Sequence, residues 1–169
     1  DVPALFLLTL CVYYQARIGS KVSRWSWALL SLFAAYGVAT THDAFAASRA
    51  LLAAAQTLEH AGVPRTAITA GFNYDGWMQV EITGHVNNQF VDHPAGAYRR
   101  VQCAGTEAVR LWYLDVMPSI RARYFVELTR SAGLEDGPIA PVAYTSWLPP
   151  ARRRVFTQRL PEGAYVGCQ

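Results

Sequence analysis

Two uncharged apolar stretches separated by a short basic linker dominate the first third of the chain and constrain what it can fold into. Residues 2–14 read VPALFLLTLCVYY, and residues 25–41 run from Trp25 to Thr41 with no ionisable acid or base. The linker from Gln15 to Arg24 carries Arg17, Lys21 and Arg24 and no acid. A helix that crosses a bilayer needs about 20 mostly apolar residues. The second stretch, taken from about Val22 to Thr41, has that length. The first is short and starts at Asp1. Tyr13, Tyr14, Trp25 and Trp27 flank the linker, where an interfacial aromatic belt would lie. The expectation is a transmembrane helical hairpin in residues 1–41, its basic loop (15–24) cytoplasmic by the positive-inside rule. The competing reading is a pair of buried helices in an all-α core. A cleaved signal peptide fits poorly, because the basic residues follow the apolar run instead of preceding it.

Composition supports a chain made of two materials. Hydrophobic residues make up 52% and charged residues 16%, against about a quarter charged in an average globular domain. Through residue 62 the only acids are Asp1, Asp43 and Glu59, whereas the remainder is normally charged. The net charge of +3 is not arranged as a basic helix face with interleaved aromatics, so nucleic acid is not an expected partner. Residues 42–169 are expected to form a small α/β (or α+β) soluble domain on the exocytoplasmic side of a bacterial inner (cytoplasmic) membrane.

Within that domain, Thr41 or Asp43 can cap a new helix. Residues 44–60 carry Ala47, Leu51, Ala54 and Leu58 at helical spacing, and Gly62 and Pro64 are stop signals. A short strand is expected at Ala67–Ala70. Trp77, Val80 and Ile82 fit either a helix or a strand. Residues 83–105 form a long irregular stretch. Strands are expected at Val109–Val116, at Ala122–Leu128 and, less regularly, at Arg154–Leu160. Pro138, Pro141, Pro149 and Pro150 punctuate the loop before the last of these.

Few residues carry recognisable chemistry. His42 and Asp43 read either as an acid/base pair or phosphate contact, or as an interfacial histidine beside a helix cap. Gly71–Trp77 sets Phe72, Asn73, Tyr74, Asp75 and Trp77 between and beside two glycines. Such a stretch suits sugar binding, with rings on the apolar face of a pyranose and polar groups on its hydroxyls. It suits equally a strand-to-helix turn with Asp75 as cap and the aromatics in the core. His85, Asp92 and His93 match no compact metal motif, and Asp75 with Glu81 would pair as carboxylates only if the fold brought them together. Arg152–Arg154 read as a solvated strand start or as an anion contact. Cys103 and Cys168 are either a disulfide or two free thiols. No catalytic residue, metal site or cofactor motif is assigned.

The segment VATTHDAFAASRALLAAAQTLEHAGVPRTAITAGFNYDGW resembles the junction and first soluble segment of multi-spanning bacterial glycosyltransferases related to protein O-mannosyltransferases and to the aminoarabinose transferase of lipid A. Thr41-His42-Asp43, Arg49, Gly62-Val63-Pro64, Ile68 and Gly71 to Trp77 carry the match, and RARYFVEL and YTSWLPPARRRVFTQ are similar to the ends of such chains. The resemblance implies a transferase that uses a polyprenyl-phosphate-linked sugar. This chain would be its C-terminal part, its partners the lipid bilayer, that sugar, an acceptor and the missing N-terminal helices of the same polypeptide. The family's catalytic carboxylate lies in an early loop among those helices, so none is carried over. Asn73 stands where the relatives have Glu. The domain would bind acceptor or support the membrane core. The alternative is a non-catalytic, membrane-anchored binding or assembly module.

Overall fold

A computed structural model describes residues 2–19, 23–91, 93–100 and 116–162. The chain divides into two compact units, Asp1–Thr41 and His42–Gln169. Helix α1 covers Val2–Ile18 and helix α2 covers Arg24–His60.

Among the described residues no helix is long and apolar enough to cross a membrane. Helix α1 has 17 residues and takes in Gln15 and Arg17. The apolar run of α2 is diluted by Ser26, Ser31, Gly37, Thr40 and Thr41, and by Trp25, Trp27 and Tyr36, whose rings carry polar atoms. This overturns the transmembrane hairpin, the assignment as a membrane protein, and the inner-membrane location with the orientation built on it. The buried helix pair is not observed either. Phe6, Leu7, Leu10, Tyr13, Trp25, Leu29 and Phe33 are all exposed in the first unit. Lys21 of the linker lies outside the described residues.

The expected break at Thr41–Asp43 is also absent, since α2 runs through it. The hydroxyls that would have capped a new helix turn back into α2 instead. Thr40 donates to the carbonyls of Tyr36 and Gly37 at 3.0 and 2.9 Å, and Thr41 donates to that of Gly37 at 2.8 Å. The helix ends where Gly and Pro predict. Gly62 sits at φ 88°, a conformation suited to glycine, and the N–H groups of Gly62 and Val63 close on the carbonyls of Glu59 and Leu58.

The second unit holds a mixed five-stranded sheet in the order β1-β2-β5-β3, with β4 also paired to β5. Its strands are β1 Ile68–Thr69, β2 Tyr124–Glu127, β3 Glu135–Asp136, β4 Val142–Thr145 and β5 Arg152–Arg159. Strand β1 is parallel to β2, and β5 runs antiparallel to β2, β3 and β4. The ambiguous Trp77 segment is helical, within α3 (Phe72–Thr83). Of the strand expected at Val109–Val116, residues 109–115 lie outside the described residues, as do Cys103 and Cys168.

Strand β2 explains the layering. Phe125 and Val126 are neighbours pointing to opposite faces, yet both are buried. Val126 packs with Ala50, Ala54, Leu58, Ile68 and Val155 in one core, and Phe125 packs with Met78, Met117, Ile120 and Leu160 in another. The sheet is therefore covered on both faces, by α2 and by α3. At 100° per residue, the buried Ala50, Ala54, Ala55 and Leu58 of α2 form one stripe facing the sheet. Two flanks of the same helix remain, and each borders a cavity.

Candidate functional site

One flank of α2 meets the start of α3. The N-cap position of α3 is Gly71, at φ 95°, where an L side chain is strained. The turn sends Phe72 and Trp77 outward, 50% and 70% exposed. With Ser48, Leu51 and Asn73 they border a cavity of about 460 Å³. Tyr74 lines its inner wall. The phenol of Tyr74 donates to Glu59 Oε1 at 2.8 Å, and burial, then that bond to the carboxylate, push it above the usual tyrosine range. It therefore stays protonated. Asn73 is exposed, and its side-chain amide makes no hydrogen bond among the described residues.

Asp75 does not face this cavity. It is fully buried in the first turn of α3. Its carboxylate accepts from the hydroxyl of Thr69 and, at 3.1 Å, from the N–H of Ala70. It thus fastens the helix to the end of β1, and the charge sits where the helix dipole favours an anion. The other carboxylate considered as its partner, Glu81, is exposed and bonded to Arg65 at 3.1 Å. The same guanidinium holds Glu59 at 2.9 Å. The two acids share no site.

The other flank of α2 carries His42 and Asp43. Asp43 is buried by the turn after β4. It accepts from the Ser146 hydroxyl, from the N–H of Trp147 at 2.7 Å and from the N–H of Leu148 at 3.0 Å. His42 Nδ1 lies 3.1 Å from Asp43 Oδ1, the oxygen that also accepts from Trp147. Burial opposes the charge, but the bonds from Ser146, Trp147, Leu148 and His42 outweigh it and hold the carboxyl well below the usual range. Asp43 is thus a clamp and not a helix cap. His42 stacks on Trp147, with ring centroids 4.0 Å apart and an interplanar angle of 12°. Together they border a second cavity of about 470 Å³, with Arg49, Val142, Tyr144 and Thr145.

The six candidate residues therefore separate. Asn73, Tyr74 and Trp77 share the first cavity and His42 lines the second, while Asp43 and Asp75 stand behind as hydrogen-bond hubs. His85 bonds to the carbonyl of Thr83 at 3.0 Å, His93 is exposed, and Asp92 lies outside the described residues. No group of three metal-ligating side chains occurs among the described residues. Sequence reasoning assigned no role to Ser146 or Trp147. Their contact with residues 42–43 spans 103 and 104 positions, and no periodicity reaches that far. The chain matches no family model, and no curated protein or solved structure is detectably similar to it.

Proposed function

We propose that the chain is part of a glycosyltransferase that uses a polyprenyl-phosphate-linked sugar. In this reading its His42–Gln169 unit binds the saccharide acceptor at the Phe72–Trp77 cavity. The observation that carries this is the pairing of two outward aromatic rings with an unengaged amide at one cavity mouth. Ring faces cover the C–H face of a pyranose, and an amide both donates to and accepts from hydroxyls. The sequence resemblance around Gly71–Trp77 supplies the transferase chemistry, with the catalytic carboxylate expected upstream of Asp1.

One observation favours the alternative, a non-catalytic binding module: Asp75 and Glu81 are each engaged by other groups and share no cavity. Titration of the full chain with neutral and amino-sugar oligosaccharides, followed by calorimetry, tests the shared element. Trp77→Ala should weaken binding by at least about tenfold, the scale of one lost aromatic contact. An unchanged affinity in Trp77→Ala, or no binding of any saccharide, overturns the assignment of the cavity. Transfer from a polyprenyl-phosphate hexose by the chain with its upstream segment separates enzyme from module.

A further inference from the structure

Strand β4 leaves one edge open. Among the described residues it pairs only with β5. The backbone N–H and C=O groups of an antiparallel strand point alternately to its two sides. The β4–β5 register continues into the turn, where the N–H of Ser146 donates to the carbonyl of Ala151 at 2.9 Å. Counting back by twos, Tyr144 and Val142 direct their backbone groups to β5, while Ala143 and Thr145 direct theirs away from it. Both of the latter residues are exposed, and their outward groups have no partner among the described residues. The other margins of the sheet are protected by charge or by shortness, the usual defences of an edge. Strand β3 consists of Glu135 and Asp136, which hold Arg159 and Arg130 at 2.7 and 3.2 Å. Strand β1 has two residues. Strand β4 has four, none of them charged and none proline.

The cavity beside α2 follows this open edge, since all four residues of β4 line it. Val142 and Tyr144 turn their side chains to the core beneath α2. By alternation Ala143 and Thr145 turn theirs to the other face, so their main chain is what they present to the cavity. Across from them stand Ala46, Arg49 and Ala53 of α2. A strand laid along the edge would bond to Ala143 and Thr145 and point every second side chain at α2. The two alanines leave room there. Arg49 is the cavity's only lysine or arginine, and its guanidinium makes no hydrogen bond or ion pair among the described residues. Its complement is a carboxylate. A second copy of this chain, paired through its own β4, brings none: no acid occurs from residue 137 to residue 161.

We infer that the open edge of β4 receives an extended peptide segment of another protein. The segment adds to the sheet through the backbone of Ala143 and Thr145 and sets an acidic side chain against Arg49. This surface is separate from the Phe72–Trp77 cavity and does not depend on its assignment. The probe is a blocked, fluorescently labelled peptide of seven residues, alternating threonine and valine with glutamate at its centre. It is titrated into the full chain by anisotropy, beside the same peptide centred on glutamine or lysine. The glutamate peptide should bind most tightly, and salt should narrow its advantage. Proline is tolerated at an edge position whose N–H faces away from the sheet, so Ala143→Pro deletes an outward donor and keeps the pairing with β5. It should weaken binding of all three peptides by at least about tenfold, and Thr145→Pro should do the same. Denaturant unfolding checks that each proline variant is folded. Arg49→Ala should weaken the glutamate peptide by about fivefold and leave the glutamine peptide unchanged. Arg49→Glu should shift the preference to lysine. Failure of the glutamate peptide to bind, unchanged binding in folded proline variants, or a glutamate preference that survives Arg49→Ala overturns the inference. So does a dimer of the chain that Ala143→Pro disperses, which would assign the edge to a second copy.

Discussion

A carboxylate withdrawn from water stays charged only where donors replace its hydration. Asp43 meets that condition, and Asp43 and Asp75 each tie a helix to a strand end or turn. For Asp43 the consequence is a pH dependence of definite sign. Its folded pKa lies below the unfolded value of about 3.9, so the unfolded chain binds more protons at acidic pH. The stabilisation is complete above about pH 5 and is lost as pH falls below about 4. Denaturant unfolding across this range is predicted to show an acid limb that flattens in Asp43→Asn, while the variant is less stable than the parent at pH 7. Equal acid limbs in the two proteins would contradict the clamp. Asp75→Ala leaves the Thr69 hydroxyl and the Ala70 N–H without their carboxylate acceptor. It is expected to cost about 1–3 kcal/mol, measured by the same method.

At the scale of elements, the β3–β5 pairing turns on a glycine. The N–H of Gly137 donates to the carbonyl of Thr157 at 2.8 Å. A Cβ at Gly137 would lie 2.8 Å from that oxygen and 2.9 Å from the carbonyl carbon, so backbone must move. Gly137→Ala should therefore destabilise by about 1–3 kcal/mol and lower the thermal midpoint of the second unit. The same substitution at Gly37, where a Cβ meets nothing within 4 Å, serves as the control and should not destabilise. Much at this scale was legible beforehand. The Ala and Leu spacing of residues 44–60 marked the sheet-facing side of α2, Gly62 marked its end, and the strand expected at Ala122–Leu128 contains β2. The continuity of α2 through Thr41 was not legible, because Thr and Asp signal a cap only when their side chains find free N–H groups. Here Thr40 and Thr41 find carbonyls of the preceding turn, and Asp43 finds Ser146, Trp147 and Leu148. Strand β4 was hidden among prolines, and its pairing with three arginines appears only through register.

For the molecule as a whole, the apolar residues of the first unit were the loudest signal and were misread. A count of uncharged positions overstates how apolar a stretch is when Ser, Thr, Gly, Tyr and Trp fill many of them. What remains is a unit whose Phe6, Leu7, Leu10, Leu32 and Phe33 are 49% to 71% exposed, more than an isolated surface normally shows. The apparent mass from light scattering is expected to rise with concentration for the chain alone. The paired change Leu32→Ser with Phe33→Ser should reduce that rise. A concentration-independent signal from the parent chain would refute this. In the second unit, the two cavities lie along the two flanks of one helix, with Ser48 and Leu51 on one and Arg49 on the other.

The contact between Asp43 and residues 146–148 also fixes an order of events in time. It joins positions more than a hundred residues apart, whereas the helical bonds of α2 form between neighbours. Closing so large a loop is slow and becomes favourable only once the intervening strands have paired. The stacking of Trp147 on His42 therefore belongs to the last stage of folding of the second unit. A chain released from denaturant should regain its helical signal before the environment of that indole becomes native.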